Sequence, residues 1–364
     1  MRDSKPVIDA LLRHKPSPRM GVMEGIWWDT IEGWTKQGYP VDEKGKPVNA
    51  ARHFGFDLAG GGGWFDLMPL RGIEEIVEQT DHWVVKRNGA GAALKWWKDH
   101  SGTPEHIDFR MTSREVWDRD YRSHLLTLDP ARVNVDDTKK SLAEFGGEGF
   151  WTSYGHMFIW EHMRQTMGDV CLYESLLLDK AWVHDFNRVY TDFFKEHYRY
   201  LIEQAGLPDG AWMYEDLGYK NGLFASPDLL AELIFPYFKE LVAFFHSYDL
   251  PVVLHSCGGI EAAMPMILDA GFDGLNPMEA KAGCDVLEFA RKYGQKIALV
   301  GGLDARILES GDRPLIKQSI ETITRTMRDT GTPYVFASDH SISTNVKYAD
   351  YQYALEVLRQ NWAY

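Results

Sequence analysis

The chain has 364 residues, of which 45% are hydrophobic and 25% are charged, the composition of an ordinary soluble globular protein. A formal net charge of -14, with no offsetting basic block, argues against nucleic acid or an anionic membrane surface as a partner. Three cysteines, no signal peptide and no apolar run of about 18 residues lead us to expect a cytoplasmic protein without a disulfide framework or a membrane span.

The first third of the sequence predicts an N-terminal extension, two strands and an insertion. A helical pattern opens the extension, residues 1–20. Strands are predicted from Gly21 to Trp28 and from Phe54 to Gly63, and the second ends in four glycines. Two β-rich runs then flank Asn88-Gly89, a pair typical of a hairpin turn. The region of about 81–130 is therefore predicted to be an insertion after strand two that contains a β-hairpin.

From residue 150 onward, predicted strands and helices alternate regularly. Six further strands are predicted: Phe150–Tyr154, Gly210–Glu215, Val252–Cys257, Gly274–Met278, Lys296–Gly302 and Tyr334–Ser338. Eight strands, mostly separated by helices, are typical of a (β/α)8 TIM barrel. A doubly wound open sheet is the alternative, but eight repeats without a domain break favour the barrel. We therefore predict an α/β protein with a single barrel domain over residues 1–364.

The stretch from Val252 to Gly259 carries the strongest chemical signal. An apolar strand stops at His255 and Cys257, and two glycines follow. Residues two apart in a strand point to the same side, so the imidazole and the thiol aim at one point. One nitrogen and one sulfur ligand suit a borderline metal ion, with zinc as the first candidate. The alternative is a buried histidine beside an inert buried cysteine.

Acidic and metal-binding residue types recur where the other predicted strands end, the face at which barrel active sites lie. A single acid there is normally a helix N-cap, but repetition over six strands favours a shared site. His255, Cys257, Glu279 and His340 are the predicted metal ligands. Asp339 competes with His340, because adjacent strand residues point to opposite sides. The predicted catalytic residues are Glu215, Asp216 and Asp304.

Aromatic residues near strand ends predict a pocket wall. The predicted substrate-binding residues are Trp27, Trp28, Trp64, Trp151, Tyr214, Asn221 and Asp339. Flat aromatic faces suit a ring-containing ligand.

Five motifs in order give the chain a family resemblance. They are Glu215-Asp216-Leu217-Gly218, His255-Ser256-Cys257-Gly258, Leu275-Asn276-Pro277-Met278-Glu279, Gly301-Gly302-Leu303-Asp304 and Ser338-Asp339-His340. On the basis of these motifs, the sequence from Phe150 onward resembles the uroporphyrinogen decarboxylase superfamily. The first third of the chain resembles it only weakly. That superfamily also contains cobalamin-dependent methyltransferases that act on coenzyme M or on methoxylated compounds.

The resemblance implies a (β/α)8 barrel and, in the methyltransferase branch, zinc on the His-X-Cys motif. A further cysteine after strand eight is part of that branch's pattern, and this chain has His340 in its place. The decarboxylase branch implies an arginine-rich loop after strand one that binds the carboxylates of a tetrapyrrole. Here that loop contains Trp27, Trp28 and Asp29, which leaves an anionic tetrapyrrole without counter-charges.

Three functions remain open at this point. The first is a zinc-dependent methyltransferase that moves a methyl group between a small methylated substrate or thiol and a corrinoid, a cobalamin carried by a partner protein. The second is a metal-free decarboxylase of the superfamily's founding type. The third is a non-catalytic barrel that only binds a ligand. Whether the chain also forms a homodimer stays open.

Overall fold

Eight parallel strands form one curled sheet in the computed structural model, which describes residues 3–364. In chain order they are Gly21–Val22, Leu58–Gly62, Trp151–Met157, Gly210–Tyr214, Val252–His255, Gly274–Asn276, Ala298–Val300 and Tyr334–Phe336. In the sheet each strand lies beside its predecessor in the chain, and strand one pairs with strand eight. The N–H of Asp57 donates to the carbonyl of Val22 at 2.7 Å, which joins the beginning of strand two to strand one. This arrangement confirms the predicted (β/α)8 barrel.

Helices surround the sheet and connect its strands. Their bounds are Ser4–Leu12, Trp28–Thr35, Ala50–Phe54, Arg114–Val116, Val135–Ser141, Ile159–Met167, Asp169–Leu178, Lys180–Ala205, Pro227–Leu233, Phe235–His246, Met264–Ala270, Val286–Tyr293, Ala305–Glu309, Arg313–Thr330 and Tyr348–Asn361. Within residues 3–364, no helix has both the length and the apolar character that crossing a membrane requires.

The sequence predicts one helix from Cys171 to Ala205 and one from Pro227 to Ser247, and the structure divides each of them in two. The region from Cys171 to Ala205 contains a break at Asp179, whose side chain accepts from the N–H of Trp182 and starts a new helix. Between Pro227 and Ser247, the second helix carries Pro236 in its first turn. Proline has no N–H to continue the preceding helix, so the chain restarts there.

The insertion is a four-stranded antiparallel sheet. Its strands are Glu74–Gln79, Trp83–Asn88, Ala93–Trp97 and Glu105–Asp108, and the predicted hairpin supplies the central pair. The side chain of Asn88 accepts from two backbone N–H groups in the turn that joins them. A loop of the insertion is attached to the barrel, because the hydroxyl of Ser101 donates to Asp29 at 2.8 Å. The insertion therefore lies over the end of the barrel that follows strand one.

The helix Ser4–Leu12 closes the amino-terminal end of the barrel. Its four apolar side chains belong to the same buried cluster as the inward-facing residues of the strands. Ile8 lies so close to strand one that a Cβ on Gly21 would be 2.5 Å from its Cδ1. Trp151, the first residue of strand three, is part of this cluster and is fully buried. The barrel is thus filled at this end, and its open side lies where the strands end.

The glycine run of strand two permits close contact with strand three. Gly61 has a φ of +105°, and a Cβ there would lie 1.9 Å from the carbonyl oxygen of Ser153. An L-residue with a side chain cannot occupy that position without displacing the backbone. Gly61 therefore permits the close approach of the two backbones.

Replacing Ile8 by alanine is expected to lower the free energy of unfolding by about 2–5 kcal/mol, because it leaves a cavity under the barrel. Urea denaturation followed by circular dichroism measures the change. The control is Lys15→Ala, at an exposed position just beyond the same helix, with an expected change within about 0.5 kcal/mol. Equal stability of the two variants would show that the helix does not pack as described.

Candidate active site at the barrel mouth

A cavity of about 290 Å³ lies where the strands end at the open side of the barrel. Its lining includes Trp27, Tyr214, Asp216, His255, Cys257 and His340. The insertion contributes Thr103, so the cavity is bounded by both the barrel and the inserted sheet. The volume is at the small end of ligand sites, which range over roughly 300–1,000 Å³.

Three side chains converge in this cavity. A carboxylate oxygen of Asp216, a ring nitrogen of His255 and Sγ of Cys257 all lie within 4.8 Å of one another. Nε2 of His255 is 3.5 Å from Sγ and 3.6 Å from Oδ1 of Asp216. The same Oδ1 accepts from the N–H of Cys257 at 2.8 Å. The structure therefore brings the imidazole and the thiol together, with Asp216 from strand four as the third member.

The orientation of His255 is fixed by Asn276 on the neighbouring strand. The amide nitrogen of Asn276 donates to the carbonyl of Val300 at 2.9 Å, so its Oδ1 faces Nδ1 of His255 at 2.5 Å. An amide oxygen only accepts, and Nδ1 must therefore carry the hydrogen. Nε2 is left with its lone pair toward Cys257 and Asp216. A backing hydrogen bond of this kind is typical of histidines that bind metals.

The electrostatics of the cluster favour a bound cation. Burial raises the pKa of the Cys257 thiol, and the negative charges of Asp216 and Glu279 raise it further. A cation would offset these charges and stabilise the thiolate, which is the form that binds metals. One nitrogen, one sulfur and one oxygen donor fit zinc. The residues present thus fit the metal that the sequence analysis expected.

Two predicted metal ligands lie outside this three-residue group. The carboxylate of Glu279 accepts from the N–H of Gly258 at 2.7 Å and lies 3.3 Å from Lys281. His340 lines the same cavity but is not part of the converging set in the described chain. Its neighbour Asp339 is buried, and its carboxylate accepts from two backbone N–H groups.

The predicted catalytic residues are separated by the structure. Asp216 lies in the cluster, whereas Glu215 points to the other side of strand four and is fully buried. One oxygen of Glu215 accepts from the N–H of Glu161 at 3.0 Å, in the first turn of a helix. Burial raises the pKa of Glu215 well above its usual value. Asp304 forms an ion pair with Arg306 at 2.6 Å and caps the helix that begins at Ala305.

The predicted aromatic wall is present in part. Trp27 and Tyr214 line the cavity, and the ring of Tyr214 is 5.3 Å from that of His255. Trp64 packs against Tyr214 at 5.7 Å with half of its surface exposed. Trp28 is exposed. Trp151 lies in the barrel core described above, and Asn221 is exposed in the turn between Gly218–Tyr219 and Gly222–Leu223.

Sequence reasoning did not select Asn276, Glu24 or Thr103 as functional residues. Asn276 is a polar residue at the end of an apolar strand, and that contrast was a usable signal. The carboxylate of Glu24 accepts from the N–H of Ser338 at 3.0 Å and from its hydroxyl at 2.8 Å. Burial raises the pKa of Glu24 to about 8. Thr103 lies at the cavity because the inserted segment folds over the barrel. Nothing in the sequence predicts where that segment folds.

Comparison with known structures shows the same fold. A methyltransferase from Methanosarcina mazei superimposes with a TM-score of 0.64 at 15% sequence identity, over 98% of this chain and 97% of that chain. A glycosylated endo-beta-1,4-xylanase from Gloeophyllum trabeum is more distant, with a TM-score of 0.41 and 11% identity over 64% of this chain and 83% of that chain.

Comparison with known sequences identifies a family. No curated protein sequence matches the chain significantly. The family model described as uroporphyrinogen decarboxylase (URO-D) matches residues 168–360, more than half of the chain and the part that contains Asp216, His255 and Cys257. The protein belongs to the uroporphyrinogen decarboxylase (URO-D) family.

Proposed function

We propose that the protein is a zinc-dependent methyltransferase that moves a methyl group between a small methylated substrate or thiol and a corrinoid. The observation that carries this proposal is the convergence of Asp216, His255 and Cys257 in the cavity at the barrel mouth. The likeness over almost the whole chain to a protein named as a methyltransferase supports it. The corrinoid would be a cobalamin on a partner protein, which would approach the open end of the barrel.

Asp216, His255 and Cys257 would hold the zinc ion. Bound zinc acts as a Lewis acid that polarises an ether oxygen or lowers the pKa of a thiol. The residues around these ligands keep them in place. The indole of Trp160 donates to the carbonyl of Asp216 at 2.7 Å. The hydroxyl of Ser256 accepts from the N–H of the next residue, Leu217, at 3.0 Å.

The other residues of the cavity would bind and orient the substrate. Trp27 and Tyr214 offer aromatic faces beside the ligand cluster. Glu24 and His340 supply further polar groups on the lining. In this proposal the protein works in the cytoplasm, which the three free cysteines support, because a reducing compartment keeps thiols unpaired.

A metal-free decarboxylase is the second candidate, favoured by the family match alone. A polycarboxylate substrate needs cationic side chains around it. Among residues 3–364, no lysine or arginine lines the cavity. The methyltransferase proposal is therefore the better supported of the two.

Substitution of Cys257 by serine is expected to remove the metal and to abolish methyl transfer, because the thiolate is the strongest zinc ligand of the three. Elemental analysis of freshly purified protein should find about one zinc per chain, lost in the variant. Methyl transfer is followed with cob(I)alamin and methoxylated or thiol substrates. The control is Cys171→Ser, at a cysteine outside the cavity, which should retain both the zinc ion and the methyl-transfer activity. Full metal content and activity in Cys257→Ser would refute the proposal.

Substitution of Asn276 by alanine is expected to weaken zinc binding about 10- to 100-fold, because His255 loses the group that fixes its tautomer. Competition with a chromophoric chelator measures the affinity. Asn345→Ala is the matched control, since this asparagine lies in an exposed turn away from the cavity. Unchanged affinity in Asn276→Ala would mean that His255 does not bind the metal through Nε2.

A further inference from the structure

We infer that the cavity selects its substrate by charge, and that it takes an uncharged or cationic single-ring methyl compound while rejecting anionic ones. The inference rests on the proposed methyltransferase function and names the class of substrate for that site. Coenzyme M and tetrapyrroles are both anions. A cavity that rejects anions would therefore not suit an enzyme that acts on either of them.

The ionisable side chains on the cavity lining offer little positive charge. Apart from the ligand cluster they are Glu24, Tyr214 and His340. In the part of the chain that the structure describes, no lysine or arginine joins them. Lys281 is close by, but it is paired with Glu279 at 3.3 Å and lies outside the lining. A divalent ion on the cluster would be balanced by one thiolate and one carboxylate, so the loaded site would still have no net positive charge.

Backbone N–H groups are the other donors that bind anions in proteins. At this mouth the protein's own carboxylates already occupy them. Asp216 accepts from the N–H of Cys257, and Glu279 accepts from that of Gly258. Asp339 accepts from the N–H groups of both Ala280 and Ala305. An anionic ligand would therefore lose its hydration without gaining those N–H groups in exchange, which is costly in a partly buried site.

The apolar part of the lining fits one aromatic ring. Trp27, Trp212 and Tyr214 supply aromatic surface, and burial raises the pKa of Tyr214 to about 12, so its phenol stays neutral. Aromatic faces also attract cations, while they repel anions. The volume of about 290 Å³ is enough for a ring with small substituents.

The test compares three ligands of similar shape: anisole, which is neutral, anisate, which is anionic, and methoxybenzyl-trimethylammonium, which is cationic. Tryptophan fluorescence and calorimetry measure the binding of each ligand at one fixed pH. In protein freed of metal by a chelator, we expect anisate to bind about ten-fold or more weakly than the other two. The metal-free protein is used because the carboxylate of anisate could itself coordinate a bound zinc ion. Equal binding of anisate and anisole, or no binding of any of the three, would overturn the inference.

A variant with an added positive charge tests directly whether the lack of cations explains the weak binding of anions. Thr103 is exposed and lines the cavity, so Thr103→Lys adds a cation with little effect on folding. It should raise the affinity for anisate about three- to ten-fold, and added salt should reduce the gain. Thr112→Lys makes the same change at an exposed position outside the cavity and should have no effect. The same anisate affinity in both variants would contradict the charge argument.

These binding measurements need no corrinoid, so they separate the inference from the proposed function. If anisole binds in preference to anisate but no methyl group reaches cob(I)alamin from any donor, charge selection stands and the methyltransferase proposal fails. If methyl transfer proceeds from anionic donors as readily as from neutral ones, the proposal stands and charge selection fails.

Discussion

Hydrogen bonds that backbone N–H groups donate to carboxylates hold the mouth of this barrel together. Asp216 connects strand four to the end of strand five, and Glu279 connects the end of strand six to the same loop. Asp339 joins the end of strand eight to the loops after strands six and seven, and Glu24 joins strand one to strand eight. Where parallel strands end, N–H groups lose their sheet partners and must find others. These carboxylates therefore tie together the loops that carry the ligand cluster and the residues around it.

The same set explains what the sequence could and could not predict about the site. The sequence predicted acidic residues at several strand ends on one face, because the order of strands in a barrel follows from the chain. Their roles could not be read from the sequence, since a carboxylate that binds an amide and one that binds a metal look alike. Asp216 does both in the proposed site: it accepts from the N–H of Cys257 and faces Nε2 of His255. Asn276, which orients His255, lies on a different strand, and only the sheet register brings the two together.

For the fold, the buried apolar strands were predictable and the polar ones were not. The eight barrel strands are bounded by turns and are rich in residues that pack in a core, so their number and order followed from pattern alone. The outer strands of the insertion, Glu74–Gln79 and Glu105–Asp108, are mostly polar and exposed. Their strand conformation comes from pairing with the central hairpin, which is a tertiary effect that local propensity does not contain.

The helix Ser4–Leu12 has a kinetic consequence for the proposed reaction. Since it fills the amino-terminal end of the barrel, ligands would reach the cavity from the mouth, where the strands end. In the proposed reaction, a small substrate and a protein-borne corrinoid would both approach from that side, and the larger partner would cover the smaller one. The small molecule would then have to enter first, and its product would have to leave last. A barrel filled at one end would therefore impose an order of addition on the two partners.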